Sequence, residues 1–256
     1  HPMWGHALSE STKEWNRQTV HQLKRFLFDQ WFAGDTLARA YARFYALETI
    51  ARMPYFSYLC VLHLFETLGL WRRAHYLKVH FAESWNELHH LLIMEELGGN
   101  DQWRDRFVAQ HVAMGYFFLV VALYLYNPVH AYHLNQMVEE EAYTTYDGFV
   151  TTHGAALEAL PAPVTAVRYY TGQDLYLFDA MHFKEDTYLA EPTSPPQQQQ
   201  RRPRCQTLRD TFENIRDDEQ EHVKTMAFFQ QDMESVDAST ATSSGKEKES
   251  TAAVQV

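Results

Sequence analysis

Two short runs in this chain, Glu87-Leu88-His89-His90 and Glu219-Gln220-Glu221-His222, each set a carboxylate three residues before an imidazole. That spacing is useful only on a helix, where side chains at i and i+3 lie about 60° apart around the axis and can reach one point. One such pair is weak evidence in a chain with 14 histidines, because chance supplies others. Two pairs on separate helices constrain the fold, since those helices must pack side by side for the four side chains to meet. Burying so anionic a cluster also requires partners from neighbouring helices.

The remaining pattern is helical. Glycine (10) and proline (9) are scarce, and no alternating β-branched runs are closed by Asn-Gly turns. The chain therefore reads as all-α. Apolar periodicity predicts helices near 17–31, 36–68, 72–97, 102–126, 129–153 and 207–232. Leu68-Gly69 and Leu97-Gly98-Gly99-Asn100 supply stops, Pro128 marks a break, and Pro54 kinks or divides the second helix. Between 154 and 206 the prolines predict a long excursion with one short helix near 163–171 and a polar, Gln- and Pro-rich insertion loop over about 185–206. Residues 1–234 thus read as a single domain. The Ser-, Thr-, Ala-, Lys- and Glu-rich stretch 235–256 reads as a disordered tail.

Charge and composition narrow the function classes. With 22 Lys+Arg against 33 Asp+Glu, the net charge of −11 argues against a nucleic-acid partner, which needs excess cations to displace counterions. The mean hydropathy is negative, which excludes a bundle of several lipid-spanning helices. The two cysteines, Cys60 and Cys205, form no zinc or iron–sulfur spacing and no disulfide framework. The first residues, HPMWGHALSE, have neither a charged n-region nor an apolar h-region, so the chain reads as mature or trimmed, without a precursor's transit peptide. Val112–Tyr126 is almost wholly apolar but falls short of the roughly 20 residues of a span. Phe56–Trp71 is apolar apart from His63 and Glu66. Two readings of these segments stay open: buried core helices, or helices lying in one leaflet as a monotopic attachment. Tyr and Trp near the segment ends favour the membrane.

Two Glu-x-x-His pairs plus one Glu from each of two further helices form the signature of a ferritin-like four-helix bundle with a di-iron carboxylate centre. Glu48 is the first extra candidate, because its neighbours in Arg43–Ala51 are largely apolar and an ionised carboxylate there needs a partner. A metal ion is one such partner and an arginine is the competing one. Glu139, Glu140 and Glu141 offer the second candidate. Tyr146 follows Glu139 by seven residues, two helical turns, so those two share a face, and Glu139 is chosen. The candidate metal ligands are Glu48, Glu87, His90, Glu139, Glu219 and His222. Oxygen-rich, with one nitrogen for each metal and no thiolate, the set suits two iron ions bridged by oxide or hydroxide. His63, His80, His89, His111, His130 and His133 read as structural.

At these residues the chain acquires a resemblance. Leu47-Glu48-Thr49-Ile50-Ala51-Arg52-Met53-Pro54-Tyr55, His80–Glu87 and His89–Leu97 resemble the alternative oxidases, as do Glu139–Tyr146 and Arg216–His222. The Tyr169–Phe178 stretch and the insertion before the last ligand helix resemble their plastid branch, the plastid terminal oxidases. The resemblance implies a non-electrogenic quinol oxidase that oxidises plastoquinol and reduces O2 to water. It implies a homodimer on one leaflet of the thylakoid membrane at its stromal face, with two membrane-associated helices beyond the four. It also implies that Tyr146 is redox-active, that Asn86 and Asp218 support the ligands, and that Arg43, Ala142 and Thr145 line the quinol pocket. Quinol is expected to enter between the two apolar segments.

Rival readings share parts of this pattern. A membrane-bound di-iron hydroxylase of quinone precursors has the same ligand set and differs in its product. A mitochondrial-type ubiquinol oxidase differs in the quinol used. A ferritin-like iron-binding protein accounts for the ligands but not for the apolar Val112–Tyr126.

Overall fold

The computed structural model describes residues 6–172, 177, 180, 181 and 203–252, with side chains as far as 234. Among the described residues the regular structure is helical, apart from one isolated bridge between Pro161 and Thr207. Seven α-helices follow in order: α1 Glu10–Lys24, α2 Leu37–Thr67, α3 Ala74–Glu96, α4 Trp103–Tyr126, α5 Pro128–Glu158, α6 Val164–Thr171 and α7 Leu208–Ala252. A π-helical stretch, Arg25–Trp31, continues α1.

Local chemistry sets the helix starts. Ser9 Oγ accepts the Thr12 amide and Thr36 Oγ1 accepts the Arg39 amide, opening α1 and α2. Asn127 caps α5, with Pro128 at the first position, where its missing N–H costs nothing. Before α7, Thr207 Oγ1 accepts the Asp210 amide and Asp210 Oδ2 accepts the Thr207 amide, a reciprocal cap. Gly98, at φ 82°, turns the chain out of α3 in the left-handed region that favours glycine. At Gly99 a Cβ would lie 2.6 Å from the Tyr41 carbonyl oxygen, so only glycine lets the end of α3 approach α2 this closely.

Several boundaries differ from the sequence expectation. The first helix starts at Glu10 because the Ser9 cap precedes the first apolar residues. Pro54 does not divide α2, which runs unbroken from Leu37 to Thr67. The short helix expected near 163–171 is α6. Helix α7 continues to Ala252, through most of the stretch expected as a tail. Once a helix is nucleated and anchored, adding Ala, Glu and Lys residues costs little. Most of the polar insertion at 185–206 lies outside the described residues.

Helix α2 packs on α3 and α4, α5 packs along α7 and α1, and α6 lies against α3. The four helices bearing the acidic and histidine residues, α2, α3, α5 and α7, enclose a tyrosine-rich core. Tyr55, Tyr58, Tyr76, Tyr124, Tyr132, Tyr146 and Tyr170 are fully buried. Of the two apolar segments, 112–126 lies in α4, outside those four helices, whereas 56–67 is the end of α2 itself. Helix α4 has 24 residues and is long and apolar enough to cross a membrane. It nevertheless lies along the bundle, with Ala109, Ala113, Tyr116, Val120 and Tyr124 buried. Trp103, Phe107, Met114 and Phe118 are exposed on its other side.

Candidate metal centre

All six sequence-selected ligand residues meet in the middle of the bundle, and all are fully buried. They form two groups, each with donor atoms within 4.8 Å of one another. One is Glu48, Glu87, His90 and Glu219, and the other is Glu87, Glu139, Glu219 and His222. Glu87 and Glu219 belong to both, which is the arrangement two adjacent cations need from bridging carboxylates. The imidazoles face inward through Nδ1. His90 Nδ1 lies 3.3 Å from Glu219 Oε1, and His222 Nδ1 lies 3.0 Å from Glu87 Oε1. Glu140 is exposed and Glu141 pairs with Lys24, so of the acidic run only Glu139 enters the cage.

Whether these residues fit metal ions can be read from the atoms they leave bare. Glu48 Oε2, both oxygens of Glu87, Glu139 Oε2, Glu219 Oε1 and His90 Nδ1 are buried and accept or donate no hydrogen bond. Buried polar atoms are rarely left so, and six of them around one space call for cations. A hard, oxygen-rich set with two imidazoles suits divalent transition metals. The residues fit.

Second partners hold the ligands in place. His90 Nε2 donates to Asp218 Oδ2 at 3.1 Å, fixing the tautomer that leaves Nδ1 free to ligate. Asp218 Oδ2 also accepts from Asn86 Nδ2 at 2.9 Å and from the Tyr170 hydroxyl at 2.8 Å. Asn86 donates as well to the Tyr169 hydroxyl at 2.8 Å. Tyr146 donates to Glu48 Oε1, and its ring stacks on Phe44 at 4.3 Å. The other histidines are engaged elsewhere: His80 with Glu83 and Tyr132, and His130 and His133 with Asn16. His89 and His111 bond to carbonyls on their own helices.

Sequence reasoning missed Tyr55, whose hydroxyl donates to Glu139 Oε1 at 2.8 Å, and Tyr170 on Asp218. A signal for the first was present. Tyr55 follows Glu48 by seven residues, just as Tyr146 follows Glu139.

Arg43 and Thr145 are half-buried and Ala142 is buried, and none of the three lines either apolar cavity described here. One turn along the same helix faces, Leu47 and Ile50 of α2 and Val138 and Glu141 of α5 line a narrow cavity of about 50 Å³, with Tyr116 and residues of α1. A second cavity, of about 700 Å³, lies where the two apolar segments meet, between Met53 and Phe56 of α2 and Met114, Phe117 and Phe118 of α4. The expected entry between those segments and the expected pocket at Arg43 thus lie on different faces of α2.

Electrostatics gives the cage a pH signature. Burial, and repulsion from neighbouring carboxylates, push Glu48 and Glu139 above the ordinary range and Glu87 up to about 8. Burial opposes ionisation of Glu219 too, but the adjacent His222 and His90 imidazoles outweigh it and hold Glu219 near 2. Burial opposes the charged form of both imidazoles, yet Asp218, Glu219 and Glu48 hold His90 protonated well above its usual value, and Glu219 and Glu87 do the same for His222. For Glu48, Glu87, Glu139 and both histidines the folded state binds protons more tightly than the unfolded chain. Their stabilisation is therefore full below the unfolded values and lost as pH rises, for Glu87 between 4.5 and about 8. Only Glu219 has the opposite sign, and its loss occurs as pH falls from 4.5 towards 2. Chelated protein is expected to melt several degrees lower at pH 8 than at pH 5.5, since 1 kcal/mol moves a domain of this size by about 2–4 °C. Ferrous or manganous ion should reverse the trend, because metal replaces those protons. Calorimetry at the two pH values checks this, and an equal or higher melting temperature at pH 8 without metal refutes it.

Residues 4–231 match the sequence model of the alternative oxidase family. The chain is 57% identical over 194 residues, 75% of its own length and 52% of the relative's, to ubiquinol oxidase 4, chloroplastic/chromoplastic, of Arabidopsis thaliana. It is 30% identical over 125 residues to the mitochondrial ubiquinol oxidase 2 of Glycine max, covering 48% of this chain and 37% of that one. Identity to the mitochondrial ubiquinol oxidase of Mangifera indica is also 30% over 125 residues, 48% of this chain and 39% of the relative. The chain thus spans about half the length of the chloroplastic relative and less of the mitochondrial ones. A match that runs through every helix bearing a cage residue, with far higher identity to the chloroplastic than to the mitochondrial relatives, makes this chain a member of the alternative oxidase family, on its plastid branch.

Proposed function

We propose that the protein is a non-electrogenic quinol oxidase that oxidises plastoquinol and reduces O2 to water. In this reading Glu48, Glu87, His90, Glu139, Glu219 and His222 hold two iron ions. The observation that carries it is the pair of four-residue groups sharing Glu87 and Glu219, with five carboxylate oxygens and His90 Nδ1 buried without a hydrogen bond. Iron bound there would supply one-electron chemistry and a place for O2 to be reduced.

The chain's own residues do the rest. The buried bundle excludes bulk water from the cage. Asp218 keeps His90 in the ligating tautomer, while Asn86 and Tyr170 keep Asp218 in place. Tyr146 can pass its phenolic proton to Glu48 Oε1 as it gives up an electron, which avoids leaving a net charge in a low-dielectric core. Arg43 and Thr145 form the polar end of the quinol pocket, with Ala142 lining it between them, and the narrow apolar cavity one turn away receives the hydrophobic part of the molecule. The exposed aromatic face of α4 supports attachment to one leaflet, with Trp103 and Tyr126 at its ends. The name of the chloroplastic relative supports placement in a plastid; the stromal face of the thylakoid and the homodimer follow from the family resemblance alone.

Oxygen uptake by iron-loaded protein with plastoquinol and ubiquinol analogues tests this directly. Uptake with plastoquinol and water as the only oxygen product is expected. No uptake with either quinol, or a hydroxylated quinone, overturns the reading. Arg43→Ala is expected to raise the quinol concentration for half-maximal rate by about 10-fold or more, the size of a lost charge-assisted hydrogen bond, with iron content unchanged. An unaltered quinol dependence removes Arg43 from the pocket.

A further inference from the structure

The cage has a reciprocal arrangement that its ligand role does not require. Helix α2 carries Glu48 and, seven residues on, Tyr55; helix α5 carries Glu139 and, seven residues on, Tyr146. Each tyrosine crosses to the other helix. Tyr146 donates to Glu48 Oε1 and Tyr55 donates to Glu139 Oε1 at 2.8 Å. In both carboxylates the remaining oxygen, Oε2, is buried without a hydrogen bond, and both residues belong to the groups that could hold a metal. Both phenols are fully buried. Tyr55 therefore stands to one half of the centre as Tyr146 stands to the other.

We propose that Tyr55 is a second redox-active tyrosine of this centre. The inference rests on the quinol-oxidase reading and deepens it. Reducing O2 to two waters takes four electrons and four protons. Two tyrosines supply two of the electrons and leave two for the metals, so one O2 can be reduced completely before a second quinol arrives. The Tyr55 phenol gives one electron to the oxidised centre and its proton, along the existing hydrogen bond, to Glu139 Oε1. The O–H bond breaks, a neutral phenoxyl remains, and the proton on Glu139 becomes one of the four that leave in water. One quinol then returns a hydrogen atom to each of the two phenoxyls, a second returns two electrons to the metals and releases the other two protons, and both depart as quinone.

The surroundings separate the two tyrosines. Tyr146 is packed by phenylalanines, Phe44 at 4.3 Å and Phe212 at 5.9 Å between ring centres, and these do not oxidise readily. Tyr55 is followed by Tyr58 at 6.3 Å, which lies 4.8 Å from Tyr132 and 5.0 Å from Tyr124. An oxidising equivalent is confined at Tyr146, whereas at Tyr55 it has further phenols beside it.

Freeze-quench electron paramagnetic resonance of the ferrous-loaded full chain, mixed with O2 without quinol, reads this out. Tyr55→Phe and Tyr146→Phe are each expected to lose about half of the tyrosyl radical and the double variant all of it, with iron content unchanged. Fluorotyrosine at position 55 keeps the hydroxyl and should shift half of the signal without disturbing the fold. If Tyr55→Phe leaves the radical intact, or Tyr146→Phe alone abolishes it while the wild type still takes up O2 with quinol, Tyr55 only orients Glu139 and the proposal falls. If the iron-loaded wild type shows neither radical nor quinol-dependent uptake, the oxidase reading falls with it.

Discussion

On the proposed quinol-oxidase reading, Glu219→Ala is expected to leave the protein without bound iron and without quinol-dependent oxygen uptake. Glu219 belongs to both four-residue groups, so one substitution removes a donor from each metal position at once. It is also the carboxylate that His90 and His222 hold ionised near pH 2, and hence the anion least reluctant to face a cation. Losing a residue that only supports a ligand costs about 10–100-fold in metal affinity, and losing a shared ligand should cost more than that. Iron content after gel filtration and oxygen uptake check the result. Glu140→Ala is the control, since Glu140 is exposed on the same acidic run as Glu139 and should keep both metals. Full turnover in Glu219→Ala overturns the ligand assignment.

Tyr146→Phe is expected to keep both metals and lose quinol-driven turnover. The phenylalanine ring fills the same space against Phe44, so packing is retained. The lost hydroxyl leaves Glu48 Oε1 without its donor, a stability cost of about 1–3 kcal/mol in the metal-free protein. Turnover should fall by at least about 100-fold, the scale of a lost proton-transfer group, because no other hydroxyl reaches Glu48 among the described hydrogen bonds. Quinol-dependent oxygen uptake at unchanged iron content is the measurement. An active variant takes Tyr146 out of the mechanism.

The two results probe parts of the site that were legible in the sequence to different degrees. The six cage residues could be picked from sequence because each choice rested on helical periodicity, which is local. Glu-x-x-His places two side chains on one face whatever the fold, and Glu139 was separable from Glu140 and Glu141 by its two-turn spacing to Tyr146. Glu48 stood out because a carboxylate among apolar neighbours needs a partner. Helix ends were less legible: the Ser9 cap lies upstream of the apolar pattern, and Pro54 is carried within α2 by packing on both sides. The end of α7 was illegible from composition, since a polar stretch without a core face can still extend a helix that is already anchored.

By itself, then, the sequence determined an all-α bundle and the faces on which its carboxylates and imidazoles lie, because the 3.6-residue period converts spacing directly into direction. Only the tertiary structure decided which atoms meet. That three donors converge on Asp218 Oδ2, that Tyr55 and Tyr146 cross reciprocally to Glu139 and Glu48, and that the space between the two apolar segments is separate from the face bearing Arg43 all depend on how neighbouring helices are rotated and shifted against one another. Those offsets are set by the side chains packed between helices, far apart in sequence. A hydrogen bond is made or lost over less than an ångström, finer than any spacing along one helix can specify.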